Sequence, residues 1–188
     1  MSADNKIAEA APRVSSKTRD LRISLKIRAK PEQLYRALTS ATELCRWWLQ
    51  GAETDARSAG RFRMIWPKVL HRNGGRAFPP DVAVGESEGA FVDLDPGRKV
   101  AWMWKFPRKN RVIPPLVNFF IQKGPRSCEV TVHQGGFSAA PEAQKYYEGC
   151  AEGWEDCLAK LKLYLETGRT CKAQPMSFRK LRAFRRRK

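Results

Sequence analysis

A chain of 188 residues carries 36 Lys and Arg against 19 Asp and Glu, a formal net charge of +17. Its 42% hydrophobic content and six tryptophans exclude a wholly disordered polar chain, which lacks apolar surface to bury. The charge is uneven: residues 169–188 hold nine basic side chains and no acidic one, residues 1–20 a net +1, which leaves +7 for residues 21–168.

At this length one domain of ordinary size is expected. The five cysteines, Cys45, Cys128, Cys150, Cys157 and Cys171, are odd in number and form no C-x-x-C pair, and the histidines are His71 and His133. Neither a disulfide framework nor a four-ligand zinc site follows from that set, and no cofactor or metal is expected. The polar N-terminus has no apolar core of a secretory signal, and no run reaches the roughly 20 apolar residues that span a bilayer. A cytoplasmic protein is expected.

Residues 1–20 read as a flexible N-terminal segment. Leu21, Ile23, Leu25, Ile27 and Ala29 then alternate with Arg22, Ser24, Lys26, Arg28 and Lys30, the period of a strand with one face buried. Pro31 opens a short helix with Leu34, Tyr35 and Leu38, proline being accepted in a first turn. A second helix after Ser40 holds Leu44, Trp47 and Trp48. Residues 60–66 form a strand with Phe62, Met64 and Trp66 on one face. Residues 71–85, with Gly74-Gly75 and Pro79-Pro80, read as a long loop or irregular hairpin. Strands follow at 86–93, ending in the turn Asp95-Pro96-Gly97, at 99–106 with Trp102, Trp104 and Phe106 on one face, at 117–122, and at 128–134. In residues 141–167, Tyr147, Cys150, Trp154, Cys157, Leu158, Leu161 and Leu165 recur at three and four, the stripe of a long helix. Ser138 can cap its start, and Gly168 suits a left-handed stop.

The order predicts an α+β fold over residues 21–168: a curved antiparallel sheet wrapped around a long C-terminal helix, with two short helices after the first strand. Residues 169–188 form a basic tail beyond it.

The stretches Ala29-Lys30-Pro31-Glu32-Gln33-Leu34-Tyr35-Arg36-Ala37-Leu38-Thr39, Leu44-Cys45-Arg46-Trp47-Trp48 and Gly60-Arg61-Phe62 come first in a further pattern. Phe91 to Val100, Trp102-Met103-Trp104, Thr131 to Phe137, and Gly153-Trp154 with Leu158, Leu161 and Tyr164-Leu165 complete it. In this order they resemble the START-like or SRPBCC superfamily with its helix-grip fold. More narrowly they resemble the single-domain bacterial form of the family named for the activator of heat-shock protein 90 ATPase. The resemblance covers residues 21–168 and departs in the long 74–84 loop and in the tail. It implies a cavity between sheet and long helix that takes lipid- or polyketide-like ligands, with some members enzymes and many binding proteins. It does not imply chaperone activation, since the eukaryotic activator makes much of its chaperone contact through a separate N-terminal domain.

Trp48, Phe62, Trp66, Trp102, Trp104, His133 and Trp154 are the candidate cavity residues, with Trp48, Trp66 and Trp104 the rings expected at the cavity itself. The simpler reading is that the rings fill a small core. His133 can serve as an acid or base, against the plainer role of a strand-end histidine holding a turn. Glu86 and Glu88 fit a solvated strand face, and Cys150 and Cys157 a helix core. No phosphate-binding or dinucleotide fingerprint is present. In the tail, Phe178, Leu181 and Phe184 stand three apart among Arg179, Lys180, Arg182, Arg185, Arg186, Arg187 and Lys188. A helix there suits an anionic membrane, a disordered arm suits nucleic-acid phosphates, and an inert solubilising tail is the plain alternative.

The leading functional reading is a non-catalytic binding protein for a small apolar ligand. The alternatives are an interaction protein contacting nucleic acid, anionic membrane or a chaperone through its tail, and a cyclase- or hydrolase-type enzyme using the same cavity.

Overall fold

The structure, a computed structural model, describes residues 17–67, 85–105 and 113–186. His71, the 74–84 loop, Phe106, Arg187 and Lys188 lie outside the described residues.

Strand β1 spans Thr18–Ile27, with Leu21 and Ile27 buried and Arg22, Ser24 and Lys26 exposed. It starts three residues before Leu21 because Thr18 and Arg19 pair with Ser138 and Phe137, across an irregularity between Arg19 and Leu21. Gly136 lies opposite that irregularity with φ of 88°, a conformation glycine adopts without a side-chain clash.

Helix α1 (Pro31–Thr39) begins with proline, and the Gln33 side chain accepts the Lys30 N–H at 2.8 Å. Helix α2 (Ala41–Trp47) follows at once. Ser40 serves both: its N–H donates to Arg36 at 2.9 Å, and its carbonyl accepts from Leu44 at 2.9 Å.

Among the described residues, six further strands join the sheet: β2 (Gly51–Thr54), β3 (Arg61–Ile65), β4 (Glu86–Asp95), β5 (Lys99–Trp104), β6 (Leu116–Lys123) and β7 (Cys128–Ser138). Their order is β1-β7-β6-β5-β4-β3-β2, and all neighbours run antiparallel. First and last strands are therefore side by side, so β1 joins the part of the sheet from which the long helix leaves. Strand β2 is an edge strand paired with β3. Its sequence Gly-Ala-Glu-Thr carries no apolar alternation, which is why no strand is expected there.

A 3-10 turn, Pro141–Ala143, leads into helix α3 (Gln144–Thr167). The Ser138 hydroxyl accepts the Ala140 N–H at 3.2 Å, so it caps the approach to the helix rather than α3 itself. Gly168 ends α3 at φ of 70°, its N–H donating to Tyr164 at 2.8 Å. Trp154, Cys157, Leu158 and Leu161 of α3 pack in one core with the inward residues of the sheet. This is the helix-grip α+β architecture.

The opposite side of α3 is also covered. Helix α4 (Phe178–Arg186) lies there, and Ala159 and Leu163 of α3 form a second apolar cluster with Met176 and Leu181. Two adjacent acids of α3 fix its start: Glu155 accepts the Phe178 N–H at 2.7 Å, and Asp156 accepts the Met176 N–H at 2.6 Å. The buried Lys160 pairs with Asp156 at 2.8 Å and donates to the Lys172 carbonyl at 3.1 Å. The Lys172 ammonium in turn donates to the carbonyls of Cys45 (2.9 Å) and Leu49 (3.2 Å) at the C-terminal end of α2, where a cation complements the helix dipole. The segment read as a tail beyond the domain is thus, as far as Arg186, docked on it.

Candidate functional site

The inward faces of β3, β5 and β6 meet α2 and α3 through aromatic rings. Trp48, which closes α2, stacks on Trp47 at 5.3 Å between centroids and meets Trp66 edge-on at 4.8 Å. It also lies 6.1 Å from Trp102 and 6.4 Å from Trp154. Trp102 is 4.6 Å from Phe119 and 5.7 Å from Trp104, and Phe62 meets Trp104 edge-on at 5.0 Å. Phe119 closes the set against Trp154 at 5.7 Å. Such separations are those of rings in contact. The candidate tryptophans and Phe62 are therefore brought together, ring against ring. Trp66 is half-buried, and the other five are buried.

The polar atoms inside this assembly separate its members. The Trp47 indole N–H donates to the Ala37 carbonyl at 3.0 Å, and that of Trp66 to the Ser87 hydroxyl at 3.0 Å. Trp154 donates to Gln134 Oε1 at 2.7 Å, while Gln134 Nε2 donates to the Pro114 carbonyl at 2.6 Å. Gln134 is 1% exposed, and through it α3 is tied to β7 and to the segment before β6. The Trp102 indole N–H is buried and has no partner among the described residues. A buried donor left unpaired forfeits about 1–3 kcal/mol, so this atom stands apart from its neighbours.

His133 belongs elsewhere. Along β7, Val130, Val132 and Gln134 are buried while Thr131 and His133 are not. The period of two that sends Gln134 inward sends His133 to the other face of the sheet, away from the rings. There its Nε2 lies 3.1 Å from Asp20 Oδ2, and the Gly136 N–H donates to Asp20 Oδ1 at 3.2 Å. The hydrogen bonds to His133 and Gly136 hold the Asp20 carboxyl below its ordinary range. Gln134, absent from the expected site residues, carried the right signal in its register with Val130 and Val132.

Two open grooves lie beside the core. One, ≈ 810 Å³, is lined by charged Glu53, Arg61, Arg63, Glu88 and Lys105 and reaches two of the candidate rings, Phe62 and Trp104. Its charges are largely matched, Arg63 bonding Glu86 and Glu53, and Lys105 bonding Glu88 at 3.0 Å. The other, ≈ 440 Å³, holds Arg36, Glu43, Arg46 and Tyr164. The buried Glu43 accepts from Arg36 (2.9 Å), Arg46 (2.6 Å) and Tyr164 (2.8 Å), joining α1, α2 and α3. Burial opposes its ionisation, but the Tyr164 and Arg36 hydrogen bonds and the Arg46 charge prevail, and its carboxyl is held low. No cluster of three or more metal-ligating side chains occurs among the described residues, and no helix among them is long and apolar enough to cross a membrane.

On α4, Arg179, Lys180 and Arg182 are exposed; none forms an ion pair within 4 Å among the described residues, and the Lys180 charge acts on the Asp156 carboxyl of α3. The apolar strip of the same helix faces α3, with Leu181 3% exposed. The exposed Arg169 guanidinium rests on the Phe184 ring at 4.1 Å.

The model of one family, described as Activator of Hsp90 ATPase homolog 1-like protein, matches residues 28–166. No curated protein matches the chain. Among solved structures, the Aha1 dimer of Colwellia psychrerythraea is 21% identical at a TM-score of 0.59, with 80% of this chain and 98% of that one covered. SSP2350 of Staphylococcus saprophyticus is 15% identical at 0.61, covering 84% and 100%. CalU16 of Micromonospora echinospora is 17% identical at 0.55, covering 83% of each. At these identities the structural likeness carries the fold alone.

Proposed function

Since the chain belongs to the Activator of Hsp90 ATPase homolog 1-like family, we propose that it binds a small, largely apolar molecule between the sheet and α3, without catalysis. The observation that carries this reading is the buried Trp102 indole N–H, which has no partner among the described residues and is set among packed aromatic rings. A ligand with a lipid- or polyketide-like body and one hydrogen-bond acceptor satisfies that donor and stacks on the surrounding rings. The rings are in contact, so binding works by their separation, with the half-buried Trp66 at the outer end of the set moving first. That is selection of a less populated open arrangement.

The enzyme alternative has less support. His133 sits on the other face of the sheet, and the buried amide of Gln134 is engaged at both ends. A reducing compartment, the cytoplasm, suits five unpaired cysteines, of which Cys150 has its thiol pushed up to about 12 by burial.

Titration of intrinsic tryptophan fluorescence with long-chain fatty acids and polycyclic aromatic polyketides tests the proposal. A saturable change is expected with at least one class, weakened about tenfold in Trp102→Phe, in keeping with the roughly 1.4 kcal/mol of one lost hydrogen bond. No saturable change with either class, or equal affinity in the variant, contradicts it.

A further inference from the structure

Helix α4 presents charge on its exposed face, its larger apolar side chains Phe178, Leu181 and Phe184 being packed toward α3. Its exposed positions include Arg179, Lys180, Arg182 and Ala183, while Leu181 is sealed against Ala159 and Leu163. Arg169, laid on the Phe184 ring, adds a fourth cation beside α4. Glu155 and Asp156 of α3 bond the backbone N–H groups of Phe178 and Met176, and Asp156 also pairs with Lys160 at 2.8 Å, so of Arg179, Lys180 and Arg182 only Lys180 is within reach of an α3 acid's charge. Four more basic residues, Arg185 to Lys188, follow in sequence.

We propose that this ridge is a docking surface for the phosphate backbone of duplex nucleic acid. Three kinds of acidic partner compete for such a surface, and the packing distinguishes them. A membrane-surface helix buries its apolar face at the acyl boundary. Here that face is already consumed by α3, and freeing it would expose Ala159 and Leu163. A protein partner needs apolar or aromatic anchors at the centre of its interface, where charge is depleted, and on the ridge the half-buried Phe184 ring is covered by Arg169 and packed against the α3 cluster. A polyphosphate backbone needs only a row of cations held in place, and it gains affinity by releasing counterions without reading sequence.

Fluorescence anisotropy of the full chain with labelled 20-base-pair duplexes of two unrelated sequences, at 50 to 200 mM NaCl, tests the inference. Binding indifferent to sequence is expected. At about −0.9 per phosphate contacted, the four described cations alone give a slope of log K against log salt of about −3.6. R179E/K180E/R182E should weaken binding at least tenfold and flatten that slope by about 2.7. R179Q/K180Q/R182Q should act in the same direction, and unchanged melting curves for either variant show that the fold is intact. Affinity within twofold of the parent in both variants, a slope near zero, or no duplex binding at 50 mM NaCl overturns the inference. Tighter capture at equal salt by phosphatidylglycerol vesicles than by duplex also overturns it, assigning the ridge to a membrane.

Discussion

Single residues decide the interior. At Gly89, a side chain would bring its Cβ to 2.3 Å from the Phe62 ring and 2.4 Å from the Met103 carbonyl. One of those neighbours is backbone and cannot swing aside, so Gly89→Ala should cost about 2–3 kcal/mol, read as a lower midpoint in urea with an unchanged slope. Trp102→Phe acts differently: it removes an unpaired donor while keeping a ring, so thermal stability should stay within about 1 kcal/mol of the parent, measured by calorimetry. Gln134 and His133 show where residue-level reading succeeds and fails. The alternation of β7 assigns each to a face: His133, grouped with the candidate cavity rings, takes instead the plainer place of a strand-end histidine beside the turn. The Trp102 N–H had no signal in sequence, since whether a buried donor finds an acceptor depends on chain segments far apart.

Among the elements, strands β1 and β3 to β7 were legible because each has inward apolar residues at period two, and α3 because its stripe recurs at three and four. The short edge strand β2 has no such stripe, and its pairing is visible only once β3 is placed beside it. Helix α4 shows a subtler limit. The stripe Phe178, Leu181, Phe184 was visible, but its partners, Ala159 and Leu163, sit on the side of α3 that core periodicity assigns to solvent. Leu181→Ala should cost about 2–3 kcal/mol of that docking. Hydrogen exchange should then quicken across residues 169–186 while the sheet amides keep their protection. Equal loss of protection in the sheet would contradict a separately docked helix.

For the whole molecule, Glu43 links the two short helices to α3, and its charge makes the fold sensitive to acid. Its carboxyl is held below the ordinary value of 4.5 in the folded chain, so its stabilisation is present above about pH 4.5 and is lost as pH falls through the folded value. Asp156 runs the other way: burial raises its carboxyl above 3.8 against the pull of Lys160, so its contribution declines as pH rises through the raised value. Glu43→Gln should therefore lower stability by about 1–2 kcal/mol at pH 7 and flatten the loss of melting temperature below pH 4.5, leaving the Asp156 contribution in place. The chain's basic charge divides by the same logic into a domain that keeps a net +7 beside its ion pairs and a cationic helix fixed upon it.

The central claim, that the aromatic interior takes an apolar ligand with its acceptor at Trp102, is tested most directly by the indole N–H signals in a proton–nitrogen correlation spectrum. With the Trp102 signal assigned through Trp102→Phe, titration with long-chain fatty acids and aromatic polyketides should move it saturably downfield, with smaller shifts at Trp48, Trp66 and Trp104. If the Trp102 signal stays fixed at saturating concentrations of every compound, the claim is contradicted.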